Sequence, residues 1–253
     1  MKKLLIMIGI GMIPMLGIGQ EFKVAKNTGR LEVHLGKVLI EGYNGNEIIF
    51  SSEDYSVSQD KRAEGLKAIN GLGLDDNTGL GINVKESGSA VVVQQLKKTN
   101  SPEIKILVPK GVIVSFAYDS QFGGTVVLKN MENEIEVAAQ YSSVEMENVT
   151  GPMTVKSIYG HVEATFNTSI KSPISIVSVY GYVDITIPTA TKATLRMDTS
   201  YGEILVAPDL KIDVDRSGSM VRYNGRVEGK LNGGGLLNID LSSNYGKIYL
   251  RNK

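Results

Sequence analysis

The sequence predicts an all-β chain wound as a single-stranded β-solenoid, right-handed in its favoured sense, with rungs of about 18–22 residues. Three observations carry the prediction. A Tyr-Gly box recurs at Tyr159-Gly160, Tyr180-Gly181, Tyr201-Gly202 and Tyr245-Gly246, the first three 21 residues apart. Apolar residues alternate with polar ones on both sides of each box, the period of half-buried strands. Apart from a polar stretch near 60–69, no run of the chain after residue 19 carries a helix signal. A fixed period near 20 residues marks stacked, near-identical units that cannot bury an apolar side alone.

The chain has 253 residues and no cysteine. Met1-Lys2-Lys3, the apolar run Leu4 to Ile18 and small residues at Gly17-Ile18-Gly19 read as a secretory signal peptide over 1–19. The run is too short for a bilayer span of ~20 residues and contains Pro14. Residues 20–253 are then a single solenoid domain with no transmembrane segment. An exported chain without cysteine has no disulfides and is held by packing and hydrogen bonds. Removing the signal leaves 25 basic against 27 acidic residues, a balance that argues against nucleic acid, which requires a basic face.

Irregular rungs are expected over 20–108. Leu31-Glu32-Val33-His34-Leu35, Val38 to Ile40 and Ile48 to Phe50 alternate as strands, and Gly42-Tyr43-Asn44-Gly45-Asn46 resembles a looser copy of the box. An insertion follows over 52–81, with at most one short helix near 60–69, weakened by Gly65, and a Gly/Asp/Asn loop from Gly71. Strands resume at Ile82-Asn83-Val84, Ala90 to Val93 and Ile104 to Val108.

Regular repeats occupy 109–253. Aligned on the aromatic, they give Phe122, Tyr141, Tyr159, Tyr180, Tyr201, Tyr223 and Tyr245, each followed by Gly, Ser or Asn. These small residues make the bend and tolerate positive φ. Apolar residues stand six and four positions before the aromatic and three after it, as in Ile174, Ile176 and Val183. The unit at Tyr223 fits worst and calls for a bulge that replaces Arg226 by Val227.

Two positions for the tyrosines compete. Their parity with the core residues before them favours rings stacked at the core edge; turned outward, Tyr159, Tyr180, Tyr201, Tyr223 and Tyr245 are a candidate ligand-contact strip. Two residues before the aromatic stand Ser157, Ser178, Thr199 and Ser243, small side chains suited to bonding turn backbone and without a general base to make nucleophiles of them. Glu163 and Asp184 share a lane on adjacent rungs, near the carboxylate separation of retaining glycosidases, yet Leu205 and Tyr249 continue that lane and no cleft follows. Asp213 to Gly218 begins like a calcium loop but has Asn224 where a bidentate Glu belongs, and Asp75-Asp76-Asn77-Thr78-Gly79 is explained by turn chemistry. No catalytic residue, metal site or cofactor is therefore assigned.

The Tyr-Gly-x-Val/Ile corners, with Leu31-Glu32-Val33 and Gly42-Tyr43-Asn44-Gly45-Asn46-Glu47, resemble an adhesin-like domain family of unknown function, the DUF4097 type found in bacterial envelopes. The resemblance spans most of the chain after the signal. It implies an exported β-solenoid without established catalytic residues. The expected function is thus a non-catalytic binding or structural protein of the periplasm, cell surface or exterior, whose partner is an envelope polysaccharide or another protein. A polysaccharide lyase or hydrolase on a β-helix and an envelope sensor are the alternatives.

Overall fold

The computed structural model describes residues 20–52, 62, 65, 66, 69–215 and 225–253. The expected signal peptide and most of the expected helix at 60–69 lie outside these residues. Among the described residues the elements are twenty-one β-strands in two open sheets of ten and eleven strands.

Each rung is one strand in either sheet with a corner between. Along the chain the pairs are β2 (Gly29–His34) with β3 (Val38–Tyr43), β6 (Ala90–Gln95) with β7 (Ile104–Pro109), and β8 (Val112–Tyr118) with β9 (Val126–Lys129). Then come β10 (Ile135–Ala139) with β11 (Val144–Val149), β12 (Met153–Ser157) with β13 (Val162–Phe166), and β14 (Ile174–Ser178) with β15 (Val183–Ile187). The last two are β16 (Ala193–Thr199) with β17 (Ile204–Val206), and β20 (Leu237–Ser243) with β21 (Ile248–Asn252). Alternation explains the burial: in β14 the inward Ile174, Ile176 and Ser178 are buried while Ser175 and Val177 are partly exposed. Parallel register keeps like residues in one lane, so Ile135, Met153, Ile174, Ile239 and Leu195 line up across five strands of one sheet. Val144, Val162, Val183, Ile248 and Ile204 do so in the other. The inward residues of both sheets form one core cluster.

Rungs do not stack in chain order. The last rung, β20–β21, lies between β14–β15 and β16–β17. The first, β2–β3, lies between β6–β7 and β8–β9. At both ends the chain runs outward, reverses and returns to the interior. The reversals supply antiparallel caps. β5 (Ile82–Ser87) covers β6, and β4 (Ile48–Ser51) covers β7 and carries β1 (Glu21–Val24). At the other end β19 (Gly225–Leu231) covers β16 and carries β18 (Ile212–Val214). Caps of this kind occupy ladder groups that would otherwise invite another chain.

Two expectations are corrected here. Residues 225–231 are not the second limb of a rung at Tyr223; they run antiparallel on β16, so the bulge at Arg226 and Val227 is not needed. Gly42-Tyr43 is not a copy of the box either. It ends β3, on the far side of the rung from the Tyr-Gly corners, and the Tyr43 hydroxyl donates to the Glu47 carbonyl. On that far side an unforeseen ladder runs. Asn148 donates to the Asn130 side chain (2.7 Å) and Asn167 to that of Asn148 (2.8 Å). Asn130 and Asn148 both adopt positive φ, which Asn tolerates. Their spacings of 18 and 19 residues are a signal the sequence carried.

Candidate functional site

The corner that joins the two sheets is built from three columns. The first is hydroxyl. Ser157 Oγ accepts from the Gly160 amide (3.0 Å) and donates to the Ser142 carbonyl (2.9 Å) of the neighbouring rung. Ser243 does the same for Gly246 and Gly181, and Thr199 for Gly202 and Gly246. Ser178 donates to Gly160 (2.8 Å). These side chains are buried, and each bonds the backbone of the neighbouring corner, in keeping with their size and position.

The second column is glycine, and its reason differs from the expected one. Gly160, Gly181, Gly202 and Gly246 are not among the positive-φ residues. A β-carbon on any of them would collide with the carbonyl of the neighbouring corner: Ser142 for Gly160, Gly160 for Gly181, Gly181 for Gly246, and Gly246 for Gly202. Backbone approach between rungs, not backbone handedness, demands glycine here.

The third column is tyrosine. Tyr141, Tyr159, Tyr180, Tyr245 and Tyr201 form a continuous stack with centroids 4.9–5.0 Å apart and planes within 12° of parallel. Tyr245 stands between Tyr180 and Tyr201 because its rung is intercalated. The rings stack as expected, but not tucked against the core: four are roughly half-exposed and Tyr201 is 76% exposed. Parity with the core residues favours the reverse, but alternation lapses in the bend, where the backbone turns. Of the candidate strip, Tyr159, Tyr180, Tyr201 and Tyr245 are thus brought together with Tyr141, while Tyr223 lies outside the described residues. Most ring faces in the column are covered by neighbouring rings. What it presents outward is ring edges and hydroxyls, with an open face at Tyr201.

Beside this ridge, on the sheet of β11, β13, β15 and β21, runs a polar aromatic row. His161 stacks on Tyr182 (4.7 Å, 4°), Tyr249 meets Tyr182 edge-on, and the Arg251 guanidinium lies over Tyr249. His161 Nδ1 is 3.0 Å from Ser143 Oγ, a contact across 18 residues that strand reading alone did not foresee. Its Nε2 is 3.9 Å from Glu163, beyond hydrogen-bond reach. The Tyr182 hydroxyl donates to Glu163 (2.5 Å). That bond to a carboxylate, with partial burial, pushes the phenol up to about 12. Glu163 and Asp184 do stand side by side in register. Both are engaged, Glu163 by Tyr182 and Asp184 by a bidentate Arg251 (2.7–3.0 Å). They line an open groove of about 620 Å³ with Glu145 and Lys129.

The other candidates are turn or strand chemistry. Asp76 accepts from the amides of Thr78, Gly79 and Gly81, so its carboxylate closes a turn. Asp213 and Val214 are extended in β18, and the rest of that stretch beyond Asp215 lies outside the described residues.

Fold and corner together define an open β-solenoid that displays a stacked tyrosine ridge along one edge. Residues 124–230 match the family model described as Toastrack DUF4097. The chain is similar over 93% of its length, and 100% of the other's, to a "putative cell adhesion protein" from Clostridium sporogenes, at 10% identity and a TM-score of 0.47. It is similar over 92% of its length, and 96% of the other's, to a "putative adhesin" from Bacteroides fragilis, at 12% identity and a TM-score of 0.42. No curated protein matches the sequence.

Proposed function

We propose that this protein is an exported, non-catalytic binding module of the bacterial cell envelope that engages an extended polymer, an envelope polysaccharide foremost, along its tyrosine ridge. The single observation behind this reading is the column of five exposed, parallel rings. Contiguous exposed aromatic surface is unusual on a soluble domain and marks interaction sites, and tyrosine couples apolar area to a hydrogen-bonding tip. Because neighbouring rings cover most of the faces, hydroxyls at the rung spacing and ring edges make the contact. A chain molecule lying along the ridge meets several at once. The enzyme reading is not favoured, since the two carboxylates it would use are tied to Tyr182 and Arg251.

The test is binding of the protein without residues 1–19 to a glycan array and to isolated envelope polysaccharide. Tyr180→Phe keeps the ring and removes the hydroxyl; Tyr180→Ala removes both. Loss of retention in both variants, with the circular dichroism of the parent, supports the ridge. Retention equal to the parent in Tyr180→Ala overturns it. Polysaccharide turnover that disappears in Glu163→Gln or Asp184→Asn overturns the non-catalytic reading.

A further inference from the structure

The intercalated last rung has an uncommon relation to its neighbours. β20–β21 fills a slot between two rungs that are consecutive in sequence, and both of its flanks are non-sequential. The walls of the slot match each other as well as they match the rung. Ile174 and Leu195 both face Ile239, and Ile176 and Met197 both face Leu241. In the other sheet Val183 and Ile204 both face Ile248. Tyr180 and Tyr201 both stack on Tyr245.

With the last rung out, β16–β17 could therefore close on β14–β15 in the same lanes. The connection between them, residues 188–192, is as long as residues 130–134, which join two adjacent rungs elsewhere. Solenoid stability is approximately a sum over neighbouring units. Closing the slot then forfeits one rung–rung interface, not the two that an open gap would forfeit.

The rung is also delivered on a glycine-rich arch. Leu231 at the end of β19 flanks Ala193 on one side, and Leu237 at the start of β20 flanks it on the other. Asn232-Gly233-Gly234-Gly235-Leu236 crosses over the end of β16 between them. Gly233 and Gly234 have positive φ, and a β-carbon on Gly235 would lie 2.8 Å from the Lys192 carbonyl oxygen. Asn232 anchors the arch on the Thr189 and Thr191 carbonyls. Leu236, at the end of the arch, is almost fully exposed.

We propose that β20–β21 is an exchangeable rung, and that the slot between β14–β15 and β16–β17 accepts the same rung from a second copy of this chain. The slot recognises a strand, a Ser-x-Tyr-Gly corner and a strand through ladder bonds, lane packing and ring stacking. None of these depends on which molecule the rung comes from. Exchange of an identical element between copies is a low-cost route to a symmetric dimer.

Arch length sets the balance. The flanks of β16 are about two strand spacings apart, roughly 10 Å. The arch spans this in six Cα steps, with ample slack. Deleting Gly233–Gly235 leaves three steps, at most ~11 Å fully extended, and nothing for the detour over Lys192. The rung then cannot reach its own slot and must occupy another.

The chain has no cysteine, so a disulfide can report the exchange. Ser175 and Asp240 are register partners on the outer face of β14 and β20; their spacing of ~4.8 Å suits a disulfide. One full-length population carries Ser175→Cys and another Asp240→Cys. The two are mixed, unfolded, refolded together and oxidised. The expected result is a disulfide-linked heterodimer whose share rises with protein concentration and rises several-fold further when Gly233–Gly235 are deleted. Each variant refolded alone sets the level due to surface collision. A mixture no higher than that level overturns the proposal. So does a doubly substituted, arch-deleted chain that cross-links within itself and stays monomeric by light scattering.

Discussion

Gly181→Ala is the sharpest probe of the corner. Its β-carbon would press on the Gly160 carbonyl oxygen and lie 2.7 Å from that carbonyl carbon and 2.8 Å from the His161 nitrogen. Ordinary contact begins at 3.4 Å, and real β-carbons essentially never approach within 3.0 Å. Every one of these atoms is backbone, and the strands on both sides of the corner are fixed in ladders. Relief requires two rungs to part at the point where Ser178 ties them together. In an unstrained position the same exchange stabilises by about 0.4–1 kcal/mol through the unfolded chain, so the clash decides the sign. Overpacking against immobile neighbours costs about 1–3 kcal/mol or more, and with a hydrogen bond of ~1 kcal/mol at risk the expected loss is about 3 kcal/mol. Urea denaturation followed by far-ultraviolet circular dichroism measures it. Gly71→Ala, where the β-carbon meets open space, is the control and should leave stability unchanged or slightly raised. Equal stability of the Gly181→Ala and Gly71→Ala proteins would refute the close approach of corner backbones.

Ser157→Ala strands the Gly160 amide and the Ser142 carbonyl in a buried corner, and a loss of about 2–6 kcal/mol is expected at ~1–3 kcal/mol per unsatisfied group. Denaturant midpoints of Ser157→Ala and Thr154→Ala, the latter on the exposed face, separate this from side-chain propensity. Tyr180→Ala removes two ring contacts of about 0.5–1.5 kcal/mol each; a destabilisation of about 1–3 kcal/mol is expected in the same assay. Tyr182 should ionise at about 12, above the ordinary value near 10, in a spectrophotometric titration differenced against Tyr182→Phe. A raised value means that the neutral phenol stabilises the fold fully below pH 10 and that this contribution is lost as pH climbs through about 12. Glu163→Gln removes the anionic acceptor, and the titration should return toward 10.

Much of the architecture was legible because a stacked rung makes every position repeat its environment. Ile174 and Ile239 fall in one lane by spacing alone, and Ser157 and Ser243 stand where a turn-bonding role is expected, since lane chemistry is set by local alternation. The asparagine ladder at Asn130, Asn148 and Asn167 was equally periodic, but it lies outside the Tyr-Gly box on which the repeats were aligned. The side taken by Tyr180 was not legible, because strand parity has no meaning across a bend. His161 and Ser143 meet across rungs at positions that differ in type, so no repeat of like residues announces the pair.

By itself the sequence determined the rung: its length, its two strands, its buried lanes and its corner. These follow from periodic alternation and from small residues at a bend, which are local properties. Only the tertiary structure decided the order of the rungs, the glycine requirement and the outward face of the tyrosines. The reason is the repetition itself. When every rung carries the same lanes, any rung fits on any other, and adjacency in sequence no longer implies adjacency in space. The 232–236 arch carries the last rung to its slot, and β19 and β5 cover the ladder edges of β16 and β6. Those constraints act between residues far apart in the chain, and the chain folds to satisfy all of them at once.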